Sequence, residues 1–327
     1  MARRASSSKL VVYAAMSGNL LVALTKFAAA WWTGSSAMLS EAIHSLVDTS
    51  NQLLLLYGMH RGAKPADDLH PLGYGREIYF WSFIVALLMF TIGAGVTLLE
   101  GISHIRNPHD IADPNVNYVV LALSALFEGA TLLFALREFR STEGSGHFFE
   151  AVRRSKDPPS FIVLFEDSAA LTGLVIAFVG TFLADRLAMP VLDGAASIGI
   201  SLLLAVTALA LARESKELLI GEPASPRVRE SIVAIACAEP NIERANVIFT
   251  VHLSPDEVVA ALSLEFVDKL NTTQIEESVL ALEKAIHDKH PEIRAVFVKP
   301  QTAHTYQSRR QARRNSTAKS RTKVPAA

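Results

Sequence analysis

Hydrophobic residues form long runs between residues 10 and 212 of this chain and shorter periodic stretches after them. A run of about 20 mostly apolar residues is what a helix needs to cross a bilayer. We therefore predict six membrane-spanning helices, at residues 10–32, 37–59, 77–103, 116–137, 159–183 and 190–212. Only TGSS, residues 33–36, separates the first two, and its glycine and serines favour a turn.

After residue 212 the pattern is that of a small α/β domain, predicted over residues 213–303. SPRVRESIVAIACAEP predicts an amphipathic helix, while ERANVIFTVHLS and VVAALSLEFV predict strands joined by a turn at Pro255 and Asp256. TTQIEESVLALEKAIHDKH predicts a helix with a threonine N-cap, and IRAVFVKP predicts a last strand. This order indicates a ferredoxin-like fold. Residues 304–327 are polar with seven basic residues, so we predict a disordered tail.

Lysine and arginine alternate between the predicted loops. Residues 1–9, the second loop and the fourth loop are rich in them. The first loop contains neither residue, the third contains only Arg106 and the fifth contains only Arg186. Basic residues in short loops mark the cytoplasmic side. We therefore expect both termini, and the α/β domain, to be cytoplasmic.

Composition narrows the class of protein. Half of the 327 residues are hydrophobic, and we expect a lipid bilayer and no nucleic acid as partner. The formal net charge of −1 says little about partners, because the charge is unevenly spread along the chain. Cys237 is the single cysteine, which excludes an intrachain disulfide. No long Arg-rich and Ser-rich presequence is apparent, which favours a bacterial plasma membrane over an organelle.

Inserting an ionisable residue at membrane depth costs roughly 2.5–3.5 kcal/mol, so each such residue is a candidate for a structural or functional role. His44 and Asp48 lie four residues apart, so their side chains share one helical face. Imidazole nitrogen and carboxylate oxygen make half of a tetrahedral site for a divalent first-row metal. The alternative is a polar pair that hydrogen-bonds a neighbouring helix.

The fifth predicted span carries Glu166 and Asp167 at matching depth. At about 1.5 Å per residue, Asp48 and Asp167 both fall near the midplane of the bilayer. Adjacent residues diverge by about 100 degrees, so only one of the two acids can face the site. We favour Asp167 as the ligand, with Glu166 as its neighbour or as a proton carrier.

Three further ionisable residues lie within the predicted spans. Lys26 is near the outer end of the first span and is expected to snorkel, with an ion pair to Glu128 as the weaker alternative. Glu128 is not explained by the metal pair, and its structural alternative is a protonated acid that is hydrogen-bonded to another helix. Asp193 lies at the outer edge of the sixth span and is expected to be solvated or to act as an N-cap.

These features together resemble the cation diffusion facilitator family. TGSSAMLSEAIHSLVDTSNQ is similar to the second-span signature of that family, ADDLHPLGYGRE resembles its following loop, and LFEDSAALTG looks like the branch that contains the mitochondrial zinc transporter of animals. The resemblance implies a homodimeric antiporter that exports zinc or a related divalent cation in exchange for protons. The metal is then the substrate, and no tightly bound cofactor is expected.

The resemblance also assigns residues. It implies a transport site of His44, Asp48 and Asp167, but Val163 stands where many members have a further ligand, and Glu166 is the candidate to compensate. A site with fewer nitrogen ligands leaves iron, manganese and cobalt open beside zinc.

The loop and the soluble domain match the family only in part. Asp67 and His70 match a weak second metal site whose third position is Tyr74, and the alternative is a polar loop shaped by these residues. Arg76 matches a residue that latches the dimer, through a carboxylate near Glu217 or Glu222. The positions of a family zinc sensor hold Glu243, Ser263 and Lys299, while His252, His287 and His290 are expected to be solvated, so we expect little metal sensing.

Two other functions compete with transport. A membrane scaffold or partner subunit with a degenerate metal site is favoured by Val163 and disfavoured by the retained His44, Asp48 and Asp167. A membrane metalloenzyme is disfavoured because the chain has neither a His-Glu-x-x-His helix nor a nucleophile elbow. We therefore expect no enzymatic activity.

Overall fold

The computed structural model describes residues 2–108, 114–143 and 155–321, which fall into two compact units that divide after Ile220. Long helices build the first unit: α1 (Ala2–Thr33), α2 (Ser36–Gly62), α3 (Glu77–Leu88), α4 (Gly95–Arg106), α5 (Pro114–Glu143), α6 (Pro158–Leu187) and α7 (Val191–Ile220). A π-helical turn, Met89–Ala94, joins α3 to α4. The predicted helices are all present at the predicted places. The units divide later than residue 212, because α7 continues to Ile220.

The helices differ in how apolar they are. Four stretches in the described residues are long and apolar enough to cross a membrane: Glu77–Arg106, Asn115–Ser141, Pro158–Leu187 and Val191–Ile220. Polar residues interrupt the apolar run of α2, and most of them are buried among α1, α3, α6 and α7. The buried ones are Ser36, Ser40, Glu41, His44, Ser45, Asp48, Thr49, Asn51 and Gln52. α2 therefore turns a polar face towards other helices rather than towards lipid.

The start of α2 is fixed by a buried carboxylate. Gly34, with a φ of 70°, makes the predicted turn after α1, and Ser35 caps α2 by accepting a hydrogen bond from the amide of Met38. The carboxylate of Asp193 accepts hydrogen bonds from Ser35 Oγ (3.0 Å) and from the amide of Ala37 (3.0 Å). It also accepts one from Thr181 Oγ1 at 3.0 Å.

Asp193 thus differs from both expectations for it. It is fully buried instead of solvated, and the helix terminus that it contacts belongs to α2 rather than to its own helix α7. A negative charge at a helix N-terminus is stabilised by the amides and dipole that point towards it. The interaction ties α2, α6 and α7 together at one end of the unit.

The second unit is a three-stranded sheet with helices. It contains α8 (Pro226–Ala238), β1 (Ile242–Ser254), β2 (Glu257–Phe266), α9 (Thr272–Lys289), β3 (Ile293–Pro300) and α10 (Ala303–Arg321). The sheet order is β1-β2-β3, with β2 antiparallel to β1 and parallel to β3. A turn at residues 255–256 joins β1 to β2, and α9 forms the crossover from β2 to β3. The predicted order of elements is confirmed.

Two local predictions in this unit were wrong. Asn271, not a threonine, caps α9: its side chain accepts from the amide of Gln274 at 2.9 Å, and the Gln274 side chain accepts from the amide of Asn271 at 2.9 Å. The predicted disordered tail is helical through Arg321, since Thr302 accepts a hydrogen bond from the amide of Thr305 and the arginines, glutamines and alanines that follow favour helix. Residues 322–327 of that tail lie outside the described residues.

The cap on α2 leads to a stability prediction. Asp193→Ala removes the acceptor for three buried donors, and we expect it to lower the free energy of unfolding by about 2–4 kcal/mol. Thermal unfolding of the purified protein in detergent measures the effect. Asp193→Asn keeps one acceptor oxygen and is expected to lose less. Equal stability of the alanine variant and the unaltered protein would contradict the assignment.

Candidate metal site

Helix α2 places His44 and Asp48 one turn apart on its buried face, as predicted. Both residues are no more than 3% exposed, and His44 Nδ1 lies 3.5 Å from Asp48 Oδ1. Among the described residues, neither ring nitrogen of His44 nor Oδ1 of Asp48 has a hydrogen-bond partner. Nitrogen and oxygen atoms without partners are costly in a protein interior and are available to a cation.

Helix α6 carries two adjacent acidic residues, and both are buried among the helices of the first unit. Glu166 and Asp167 are buried, and each acts electrostatically on Asp48. Glu166 Oε1 accepts a hydrogen bond of 2.8 Å from the amide group of Asn51, which lies almost one turn after Asp48 on α2. Asp167 interacts electrostatically with Glu128 on α5. The two acids therefore have different neighbours, as their helical spacing requires, and the sequence did not identify Asn51.

The predicted ligands are near one another without forming a closed site. In the described part of the chain, no group of three or more His, Cys, Asp and Glu side chains is arranged to hold a metal ion. For His44, Asp48 and Asp167 to bind one cation together, α2 and α6 or their side chains have to move closer. The three-residue ligand set thus stays a prediction.

Position 163 offers no ligand atom. Val163 is fully buried and lines an apolar cavity with Ala15, Phe127 and Phe134. An apolar contact therefore occupies the position at which the resemblance implies a ligand. Glu166 is held by Asn51, so it is not a direct substitute at the position of Val163 in this arrangement.

Lys26 is at the centre of a buried ion cluster, and the expectation that it snorkels was wrong. Its ammonium donates to Glu128 Oε1 at 2.8 Å, to Glu41 Oε2 at 3.0 Å and to Ser45 Oγ at 3.0 Å. The weaker alternative, an ion pair with Glu128, is confirmed. A hydrogen bond from Glu128 to another helix was also expected, but the partner is a cation on α1.

Glu41 was missed, although the sequence carried a signal for it. It lies three residues before His44 and seven before Asp48, on the same face of α2. An ideal Cβ at Gly173 of α6 would collide with Glu41 Oε1, so that glycine leaves the space that the carboxylate occupies.

The loop between α2 and α3 uses its candidate ligands for its own shape. Asp67 Oδ1 accepts hydrogen bonds from the amides of Leu69 (3.1 Å) and His70 (2.7 Å), and Oδ2 accepts one from the Tyr74 hydroxyl (2.7 Å). The Tyr74 hydrogen bond, together with the backbone amides, lowers the pKa of Asp67. The His70 ring lies against the Tyr74 ring, with 4.2 Å between centroids. This geometry favours the shaping role, and metal binding by Asp67 and His70 stays a prediction.

The remaining predicted residues are mostly at surfaces. Arg76 is exposed at the start of α3, and Glu217 is paired with Arg213 at 3.2 Å, so the dimer latch stays a prediction. His287 is exposed as expected. His252 is buried and His290 partly buried, with Nε2 of His290 2.8 Å from Ser231 Oγ, so solvation was wrong for these two.

Comparison with known proteins places the chain in a family. The family model of the cation efflux transmembrane domain matches residues 12–220. The mitochondrial proton-coupled zinc antiporter SLC30A9 of Mus musculus is 35% identical over 234 residues, which is 71% of this chain and 41% of that protein. The cation-efflux pump FieF of Citrobacter koseri is 26% identical over 285 residues, which is 87% of this chain and 89% of that protein.

The extent of these matches differs. The chain spans 41% of the length of the mouse relative and 47% of metal tolerance protein C4 of Arabidopsis thaliana, which is 34% identical over 219 residues. The family model covers more than half of the chain, including every helix that carries a candidate ligand. The chain is therefore an integral multi-pass membrane protein of the cation diffusion facilitator family, in the branch that resembles the mitochondrial zinc transporter of animals.

Proposed function

We propose that this protein is an antiporter that exports a divalent metal cation from the cytoplasm in exchange for protons. One observation carries the proposal: His44 and Asp48 lie buried on the same face of α2, close to the acids of α6, with nitrogen and oxygen atoms that lack hydrogen-bond partners among the described residues. Such atoms are kept at bilayer depth only at a cost, which a transported cation would offset.

The proposed architecture has six spanning helices, with α1 and α2 joining the four strongly apolar stretches. α2 can cross the bilayer because its polar residues face neighbouring helices. The alternation of basic loops supports cytoplasmic termini. The α/β unit is proposed to be a ferredoxin-like dimerisation domain, and the protein a homodimer. We propose a bacterial plasma membrane as its location, supported by the similarity of 87% of the chain to a bacterial cation-efflux pump.

Proton coupling follows from the chemistry of the ligands. A metal ion binds neutral imidazole and ionised carboxylates, so its arrival at His44, Asp48 and Asp167 releases protons. When the site opens to the other side of the membrane, protons can replace the metal on the same atoms. Alternating access thus exchanges one kind of cation for the other at one site.

The proposed cargo is zinc, with iron, manganese and cobalt as alternatives. Zinc is named in the mouse relative and accepts mixed nitrogen and oxygen ligands. His44 is the one nitrogen donor in the set, and Val163 adds none, so the selectivity for zinc over harder cations is expected to be relaxed.

Loss of a ligand should abolish transport. We expect His44→Ala, Asp48→Ala and Asp167→Ala each to remove proton-gradient-driven metal uptake into proteoliposomes with an acidic interior, because each deletes a donor at the midplane. Zinc, manganese, iron and cobalt are tested side by side. Asp68→Ala, at an exposed loop residue outside both candidate sites, is the control and should retain uptake. Wild-type flux in His44→Ala would contradict the proposal.

The same assay separates transport from the scaffold alternative. A folded, dimeric protein that moves none of the four metals, with or without a proton gradient, would favour a scaffold or partner subunit. A hydrolase activity in the same preparation would favour the metalloenzyme.

Restoring the missing ligand should sharpen selectivity. Val163→His places an imidazole one turn before Asp167, and we expect it to raise the preference for zinc over manganese by about tenfold, because nitrogen ligands favour zinc. Val163→Leu is the size-matched control without a donor. The measurement is the ratio of zinc to manganese uptake in proteoliposomes. An unchanged ratio in folded Val163→His would place position 163 outside the transport site.

A further inference from the structure

The Lys26 cluster contains more acceptors than its one cation can satisfy. The ammonium uses all three of its donors, on Glu41, Glu128 and Ser45. Among the described residues, Glu41 Oε1 and Glu128 Oε2 still have no hydrogen-bond partner. One ammonium and two carboxylates give the cluster a net charge of −1 when all are ionised.

This surplus distinguishes the cluster from an ordinary structural ion pair. A pair that only joins α1 to another helix needs one carboxylate, and a second buried carboxylate adds a desolvation cost without adding a partner. The second carboxylate also has dedicated space, because Gly173 lacks the Cβ that would collide with Glu41. The cluster therefore has the form of an oxygen-lined cation site with a lysine ammonium inside it.

The cluster is also electrostatically coupled to the candidate metal ligands. Lys26 acts on both His44 and Asp48, and Glu128 acts on both Asp48 and Asp167. Glu41 lies on the face of α2 that carries His44 and Asp48. Charges that are buried together interact strongly because little water screens them.

We propose that Lys26 is a tethered cation, held by Glu41 and Glu128, whose charge limits the affinity of the neighbouring site for the divalent cargo. Its positive charge repels a metal ion at His44, Asp48 and Asp167, while the surplus carboxylate charge attracts it. The net charge of the cluster thus sets how tightly the metal is held, and hence how readily it is released. This inference rests on the proposed transport site.

The proposal predicts an order of affinities. Lys26→Met leaves a similar chain length but no charge, so the cluster becomes more negative, and Zn²⁺ should bind at least about tenfold more tightly. Glu41→Gln makes the cluster neutral and should weaken binding to a similar degree. The double variant Lys26→Met with Glu41→Gln returns the net charge to that of the unaltered protein and should return the affinity towards its value.

The experiment is titration of Zn²⁺ into the purified full chain and the three variants at one pH, with folding checked by size-exclusion chromatography and thermal unfolding. If Lys26→Met does not fold, two variants still test the order: Glu41→Gln, whose two remaining charges are paired, and the double variant, which buries one charge. Affinities that follow the net charge support the proposal. Affinities that are equal, or that fall together in every variant, would overturn it and leave Lys26 a structural link.

Failure of the proposed function has a different signature. If His44→Ala binds Zn²⁺ as tightly as the unaltered protein, the metal does not use the proposed transport site. If His44→Ala loses binding while the charge order is absent, the transport site stands and the tethered-cation proposal alone is overturned.

Discussion

The cost of burying charge away from water determines how α1, α2, α5 and α6 are arranged. Lys26, Glu41, Asp48, Glu128 and Asp167 are each no more than 3% exposed, in a helical unit whose apolar stretches are membrane-like. No ion of this kind is stable there alone, so each must lie near a charge or donor on another helix. The polar contacts of α2 therefore determine which helices pack against it. Apolar packing contributes less to this choice, because lipid can cover an apolar helix surface equally well.

The polar contacts form a series along α2. Asp193 holds its N-terminus, Lys26 engages Glu41 one turn later, His44 and Asp48 follow, and Asn51 binds Glu166 after them. The contacts on either side of His44 and Asp48 include hydrogen bonds of 2.8 Å and 3.0 Å, although Glu41 Oε1, Asn51 Oδ1 and Glu166 Oε2 have no partner among the described residues. The pair itself retains unpartnered atoms, as far as the described residues show. Hydrogen-bonded contacts on both sides of the proposed ligand pair would help to hold it in place for a small cation.

The sequence predicted the elements of this arrangement better than their contacts. Apolar run length located the helices, and helical spacing placed His44 and Asp48 on one face and separated Glu166 from Asp167. The contact of Lys26 with Glu41 was not predictable in the same way, because it depends on how α1 packs against α2. Judged only from its depth in the first span, Lys26 was expected to reach the membrane surface, because this costs less free energy than burying its charge. The cap by Asp193 was missed for the same reason, since its donors are on α2 and α6 rather than α7.

The distance between ligands in sequence does not reveal whether they close around an ion. Asp167 lies on α6, so its approach to His44 and Asp48 depends on helix packing, and the described residues form no complete metal-binding group. The proposed transport would require a site that is incomplete in at least one state, because a site that is fully formed in every state would hold its cargo without releasing it. The proposed ligands lie on two helices, so a small relative movement of these helices would change the affinity for a cation. Within that arrangement, a fixed ammonium beside the ligands would favour release, whereas a further ligand at Val163 would favour retention.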